Sequence, residues 1–142
     1  MRVCFRGNYA VSGTVKAIES LEAIAKPDFK ARMTVRLAVA GAFHTQYMDS
    51  AVSTLSQVLS GTEIVKPRIP VFSNVDAKAH SDPEVIKKIL SMQVTSPVQW
   101  EGTLKSLLEG GLESSYEVGP GKVVAGIMKR VDRKHAITNV TV

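Results

Sequence analysis

Three histidines, one cysteine and a scatter of serines are the residues here with the means to do nucleophilic or acid–base chemistry. His44 has the most suggestive setting, VRLAVAGAFHTQYMDSAV, where an apolar run breaks at Gly41 and a helical pattern starts. An imidazole titrates near neutral pH, so a ring facing a pocket at such a break suits general base work. An isolated histidine is more often a core or capping group, and residue type alone does not choose. His80, in the polar stretch AKAHSDP, and His135, in the basic stretch KRVDRKH, are expected to be exposed. No two histidines have metal-ligand spacing, and the single Cys4 builds neither a zinc site nor an internal disulfide. No serine lies in a Gly-x-Ser-x-Gly elbow; Ser12, Ser114 and Ser115 read as capping and strand residues. GPGK lacks the spacing of a phosphate loop and reads as a β-to-α turn.

The elements that must position these residues follow from periodicity. Val15, Ile18, Leu21 and Ile24 or Ala25 repeat at helical spacing, capped by Ser12 or Thr14 and stopped by Pro27. From Phe29 to Val39 apolar residues alternate with Lys30, Arg32, Thr34 and Arg36, which predicts a strand of an antiparallel sheet with one wet face. After His44, Met48, Val52, Leu55 and Val58 or Leu59 form a helical stripe ended by Gly61. IPVFSNV reads as a strand, and SDPEVIKKIL as a helix opened by a Ser81–Glu84 capping box. PVQWEGTLKSLLEGG reads as a helix, LESSYEV as a strand, VVAGIMKR as a short helix and HAITNVTV as a last strand. Alternating helices and strands from Phe43 onward point to α/β packing. Two packing environments thus meet near His44, and such seams form clefts.

Composition narrows the classes. With 142 residues, 44% apolar and 22% charged, the sequence is that of one ordinary globular domain. No stretch approaches the length of a membrane helix, and MRVCFRGNY carries no targeting pattern. The lone cysteine fits a reducing compartment. The net charge of +5 admits nucleic acid, phosphorylated cofactors or acidic proteins. No aromatic residue interleaves the KRVDRKH cluster, which argues against nucleic acid.

AVAGAFHTQYM, IPVFSNVDA, MQVTSPVQWEGTL and YEVGPGKVVAGIMKR occur in that order. Together they resemble the C-terminal half of malonyl-CoA:acyl carrier protein transacylases, and FKARMTVRLAVAGAFHT looks most like the plant and algal members. The resemblance implies a partial α/β-hydrolase-like acyltransferase core with part of an inserted ferredoxin-like antiparallel subdomain. Residues 1–40 would belong to the subdomain and 41–142 to the large core. It implies transfer of a malonyl group from malonyl-CoA to the phosphopantetheine thiol of acyl carrier protein, through a serine-bound intermediate. His44 takes the place of the catalytic histidine, oriented by the backbone carbonyl of Gln93. Malonyl-CoA and acyl carrier protein are the implied partners, with no cofactor, metal, nucleic acid or membrane, and with association through exposed core surface. The implied compartment is a plastid for a plant or algal source and the cytoplasm otherwise. The family's nucleophile elbow, oxyanion segment and malonate-binding arginine have no counterpart here, and CFRGN departs from the family's Asn-x-Pro-Gly-Gln. The chain alone is therefore expected to be inactive. The alternative reading is a remnant that binds acyl carrier protein without catalysis, through Lys122, Lys129 and Arg130.

Overall fold

The computed structural model describes residues 2–5, as backbone, and 7–141. The chain opens with a short antiparallel pair, β1 (Arg2–Phe5) and β2 (Asn8–Ala10), in which Val3 faces Tyr9. Helix α1 (Val15–Ala25) follows, its first turn capped by the Thr14 hydroxyl, which accepts from the Ala17 amide. One 3₁₀ turn, Gln46–Met48, leads into α2 (Asp49–Ser60), which ends at Gly61. Helix α3 (Pro83–Gln93) packs against α2, and α4 (Trp100–Glu109) ends at Gly110. The chain closes with a β-α-β unit: β3 (Ser115–Val118), α5 (Val123–Val131) and β4 (Ile137–Val140). Strands β3 and β4 are parallel, Ser115 facing Ile137 and Val118 facing Val140. The fold is α/β, rich in helix and poor in strand among the described residues.

Three expectations are corrected. Residues 29–39 are not a strand: no ladder forms along them among the described residues, although the period-two pattern is real. Alternation is a property of one chain, whereas a ladder needs a second, and none lies alongside. IPVFSNV likewise shrinks to a single antiparallel bridge between Phe72 and Ala79. The cap of α3 is Asp82 rather than Ser81; its carboxylate accepts from the amides of Glu84 and Val85. The cause is Pro83, whose fixed φ and missing N–H suit the first helical position and leave the cap to the residue before it.

The core is small. Among the described residues only Ala25, Leu59, Leu104 and Met128 are buried apolar side chains, with Thr103 beside them. Accessible surface is 10636 Å², against about 7,100 Å² for a folded monomer of this mass. Ile69, Val71, Tyr116 and Val118 lie exposed on segments that sequence reading assigns to a sheet. A parallel pair normally has both faces covered; here Tyr116 and Val118 are 66% and 72% exposed.

Candidate functional site

The site is assembled where the end of α3 meets the loop before α2. Backbone carbonyls in the last turn of a helix have no intrahelical partner. Two carbonyls at the end of α3 are taken by His44: its amide donates to Val94 O at 2.6 Å, and its Nδ1 lies 2.9 Å from Gln93 O. A carbonyl only accepts, so Nδ1 must carry the proton and Nε2 the lone pair. No group among the described residues bonds Nε2. The ring is half-buried.

His44 reaches this position through a left-handed backbone, φ +63°. That conformation costs a residue with a side chain on the order of 1–3 kcal/mol and persists only where neighbours impose it. The imposing contacts are visible. The Thr45 hydroxyl donates to Ala42 O at 2.6 Å and accepts from the Tyr47 amide at 3.2 Å, closing the turn on both sides. Gly41 lets the Phe43 ring fold back, since a Cβ there would lie 3.3 Å from it. The C-terminal end of α3 also bears partial negative charge. The arrangement can hold a histidine in one tautomer, accept a proton at Nε2 and stabilise the resulting cation.

The structure thus brings His44 and Gln93 together, though the approach to His44 is an irregular segment and not the expected strand. The other two histidines depart from expectation. His80 is largely shielded and pairs with Asp76 at 2.9 Å, four residues earlier in a tight loop. His135 is half-buried, its Nε2 2.9 Å from Ser115 Oγ. This second contact joins a nucleophile type to a base, but no further hydrogen bond orients the ring among the described residues, so it ties β3 to the approach of β4. Sequence reading also missed Glu117. Its carboxylate accepts from the amides of Val124 and Ala125 at 2.8 and 3.0 Å, capping α5 across the GPGK turn. Those amides hold its pKa below the ordinary 4.5. A carboxylate just ahead of a Gly-Pro-Gly turn into a helix was the available signal. An open cleft of about 230 Å³ lies at the start of α4, lined by Gln99, Trp100, Glu101, Gly102 and Lys105, and does not include His44. No three metal-ligating side chains cluster among the described residues.

An α/β fold that presents a histidine held in one tautomer carries a candidate general base. Comparison with known proteins gives the particular resemblance, to malonyl-CoA:acyl carrier protein transacylases. A mouse mitochondrial transacylase of that name is 41% identical over 143 residues, 93% of this chain and 37% of its own length. The crystal structure of the Synechocystis enzyme is 36% identical, with a TM-score of 0.81 over 91% of this chain and 43% of that one. A malonyl-transacylase solved in complex with a type II polyketide acyl carrier protein is 32% identical, with a TM-score of 0.80 over 90% of this chain and 40% of that one. No family model matches. The chain spans about two fifths of the length of these relatives.

Proposed function

We propose that this chain forms the histidine-bearing part of a malonyl-CoA:acyl carrier protein transacylase, with His44 as general base and Gln93 O as its orienting partner. The observation that carries this reading is the 2.9 Å contact between His44 Nδ1 and Gln93 O. A serine hydroxyl, supplied by the remainder of the transacylase fold, attacks the thioester carbonyl of malonyl-CoA. His44 Nε2 takes the hydroxyl proton as the C–O bond forms. The tetrahedral adduct collapses, the C–S bond breaks, and coenzyme A leaves with the proton from the imidazolium. In the second half the phosphopantetheine thiol gives its proton to His44 and attacks the malonyl ester, and the serine leaves reprotonated. Gln93 O keeps the proton on Nδ1 throughout, the tautomer role an aspartate plays in a protease triad. A carbonyl is neutral and stabilises the imidazolium less, which suffices because a thioester opens more readily than an amide.

The same reading divides the chain near Gly41, residues 1–40 to the inserted subdomain and 41–142 to the large core. It calls for no cofactor, and it places the whole enzyme in a plastid if the source is plant or alga. A second reading, a module that binds acyl carrier protein without catalysis, is favoured by the basic last turn of α5, Lys129 and Arg130, with Lys122 at its start.

The test is stoichiometric malonyl transfer. The isolated chain takes no label from malonyl-CoA. Mixed with the complementary N-terminal three fifths of a relative, it restores transfer to carrier protein, and His44→Ala in that complex lowers the rate roughly 10²–10⁴-fold. Full activity of the His44→Ala complex overturns the base assignment; carrier-protein binding with no transfer under any complementation selects the second reading.

A further inference from the structure

The left-handed backbone at His44, φ +63°, needs a hold, because a residue with a side chain leaves that region unless its neighbours oppose the change. Two holds flank it. On one side the carbonyls of Gln93 and Val94 take the Nδ1 and the amide of His44 at 2.9 and 2.6 Å. On the other stands a single hydroxyl, Thr45 Oγ1, which donates to Ala42 O at 2.6 Å and accepts from the Tyr47 amide at 3.2 Å. A hydroxyl has one proton. Here it is committed to Ala42 O, so Thr45 is not a donor to substrate. The same oxygen caps the 3₁₀ turn Gln46–Met48, which runs straight into α2. Helix α2 packs on α3, with the hydroxyls of Ser56 and Ser91 3.0 Å apart between them, and the end of α3 supplies the two carbonyls. The chain thus closes a circuit from His44 through Thr45, α2 and α3 back to His44.

We propose that Thr45 is the positioning residue for His44: its hydroxyl holds the turn that sets the imidazole against Gln93 O and leaves Nε2 to the proton transfer. The proposal rests on the reading of His44 as general base. Without the hydroxyl, Ala42 O and the Tyr47 amide each lose a partner, and His44 is released toward the ordinary negative-φ backbone. Its amide stays pinned to Val94 O, so a change of φ swings the Cα–Cβ bond about the N–Cα axis and carries the ring off Gln93 O. Valine has the shape of threonine and neither bond. Serine has both bonds, with a less restricted χ1. Two lost hydrogen bonds shift the balance of conformers by roughly 5–150-fold. The loss falls on proton transfer, so kcat drops while KM holds.

The experiment has two arms, and the first needs no partner. In the full chain with 15N-labelled histidine, at about pH 8 and so above the ordinary histidine value of about 6.5, long-range 15N–1H spectra should show the His44 proton on Nδ1. Thr45→Ser should keep that pattern, and Thr45→Val should show averaged tautomers. The second arm is malonyl transfer in the complemented complex. Thr45→Val should lower kcat roughly 5–150-fold with KM unchanged, and Thr45→Ser should recover most of the loss. Added to His44→Ala, Thr45→Val should lower the rate no further, since the hydroxyl acts through the ring. If Thr45→Val does not fold, Thr45→Cys under reducing conditions takes its place; a thiol is a weak donor and acceptor, and an intermediate loss is expected in both arms. An unchanged tautomer and rate in Thr45→Val, or in Thr45→Cys where that variant serves, overturn the proposal. So does a loss that Thr45→Ser does not recover, or one that persists in the His44→Ala background. A rate insensitive to His44→Ala overturns the catalytic reading instead, while the tautomer spectra still judge the hold on the ring.

Discussion

At His44 the partner that fixes the ring is a main-chain atom, and this separates two substitutions that a side-chain contact would make equivalent. Gln93→Ala keeps the carbonyl, so transfer in the complemented enzyme and the unfolding midpoint should both stay within the effect of an ordinary surface change, about 0.5 kcal/mol. His44→Gly removes the ring and also relieves the left-handed backbone. Stability should therefore hold while transfer is lost. Paired denaturation curves and transfer rates check both, and a rate loss in Gln93→Ala equal to that in His44→Gly would move the orienting role to the amide side chain. The site was half legible in the sequence. The Phe-His-Thr and Gln-x-x-x-Pro-Val-Gln-Trp stretches pointed to His44 and Gln93 through resemblance. The second contact, from His44 N–H to Val94 O, was not readable, because a backbone bond between residues fifty positions apart leaves no trace in side-chain type.

Among the elements, the turn into α5 is held by Glu117, and its chemistry has a pH signature. The carboxylate's pKa is lowered first by the Val124 amide and then by the Ala125 amide. A depressed folded value means stabilisation that is full above the ordinary 4.5 and lost as pH falls through the lower folded value. Glu117→Gln should therefore melt at a lower temperature than the unsubstituted chain at pH 7, and the gap should narrow at acid pH. Thermal melts at both pH values check it; a difference that persists unchanged at acid pH would mean the carboxylate acts by shape alone. The helices were read well because an amphipathic stripe and a cap are local signals: Thr14, one of the two expected caps, opens α1, and Gly61 and Gly110 close α2 and α4. Strands were read unevenly: β3 and β4 lie within the stretches expected to hold them, but a ladder is not a local signal. Phe29–Val39 has the cleanest alternation in the chain and yet no ladder, while β1 and β2 pair without any pattern that marks them.

For the molecule as a whole, very few buried side chains carry the packing. Leu104 is 3% exposed and is, with Met128, among the four buried apolar residues of the described part. Leu104→Ala should cost about 2–5 kcal/mol, a large share of the 5–15 kcal/mol that holds a typical domain, so this variant should be mostly unfolded at temperatures the unsubstituted chain survives. A urea transition read by circular dichroism measures it, and a shift under about 1 kcal/mol would show that the small cluster around Met128 does not hold the helices together. Sequence composition forecast a domain of ordinary apolar content, and that content is present. What composition does not convey is how much of it finds cover, since burial depends on which strands lie alongside.

The open apolar faces around Tyr116, Val118 and Val35 carry a consequence for the chain's life in a cell. Chaperones and proteases survey molecules for exposed apolar segments, and a difference of 1–2 kcal/mol in the folded population changes steady-state abundance several-fold. Ligation of a surface by any partner raises that population by mass action. A partner that covers those faces should therefore raise the protein's steady-state level.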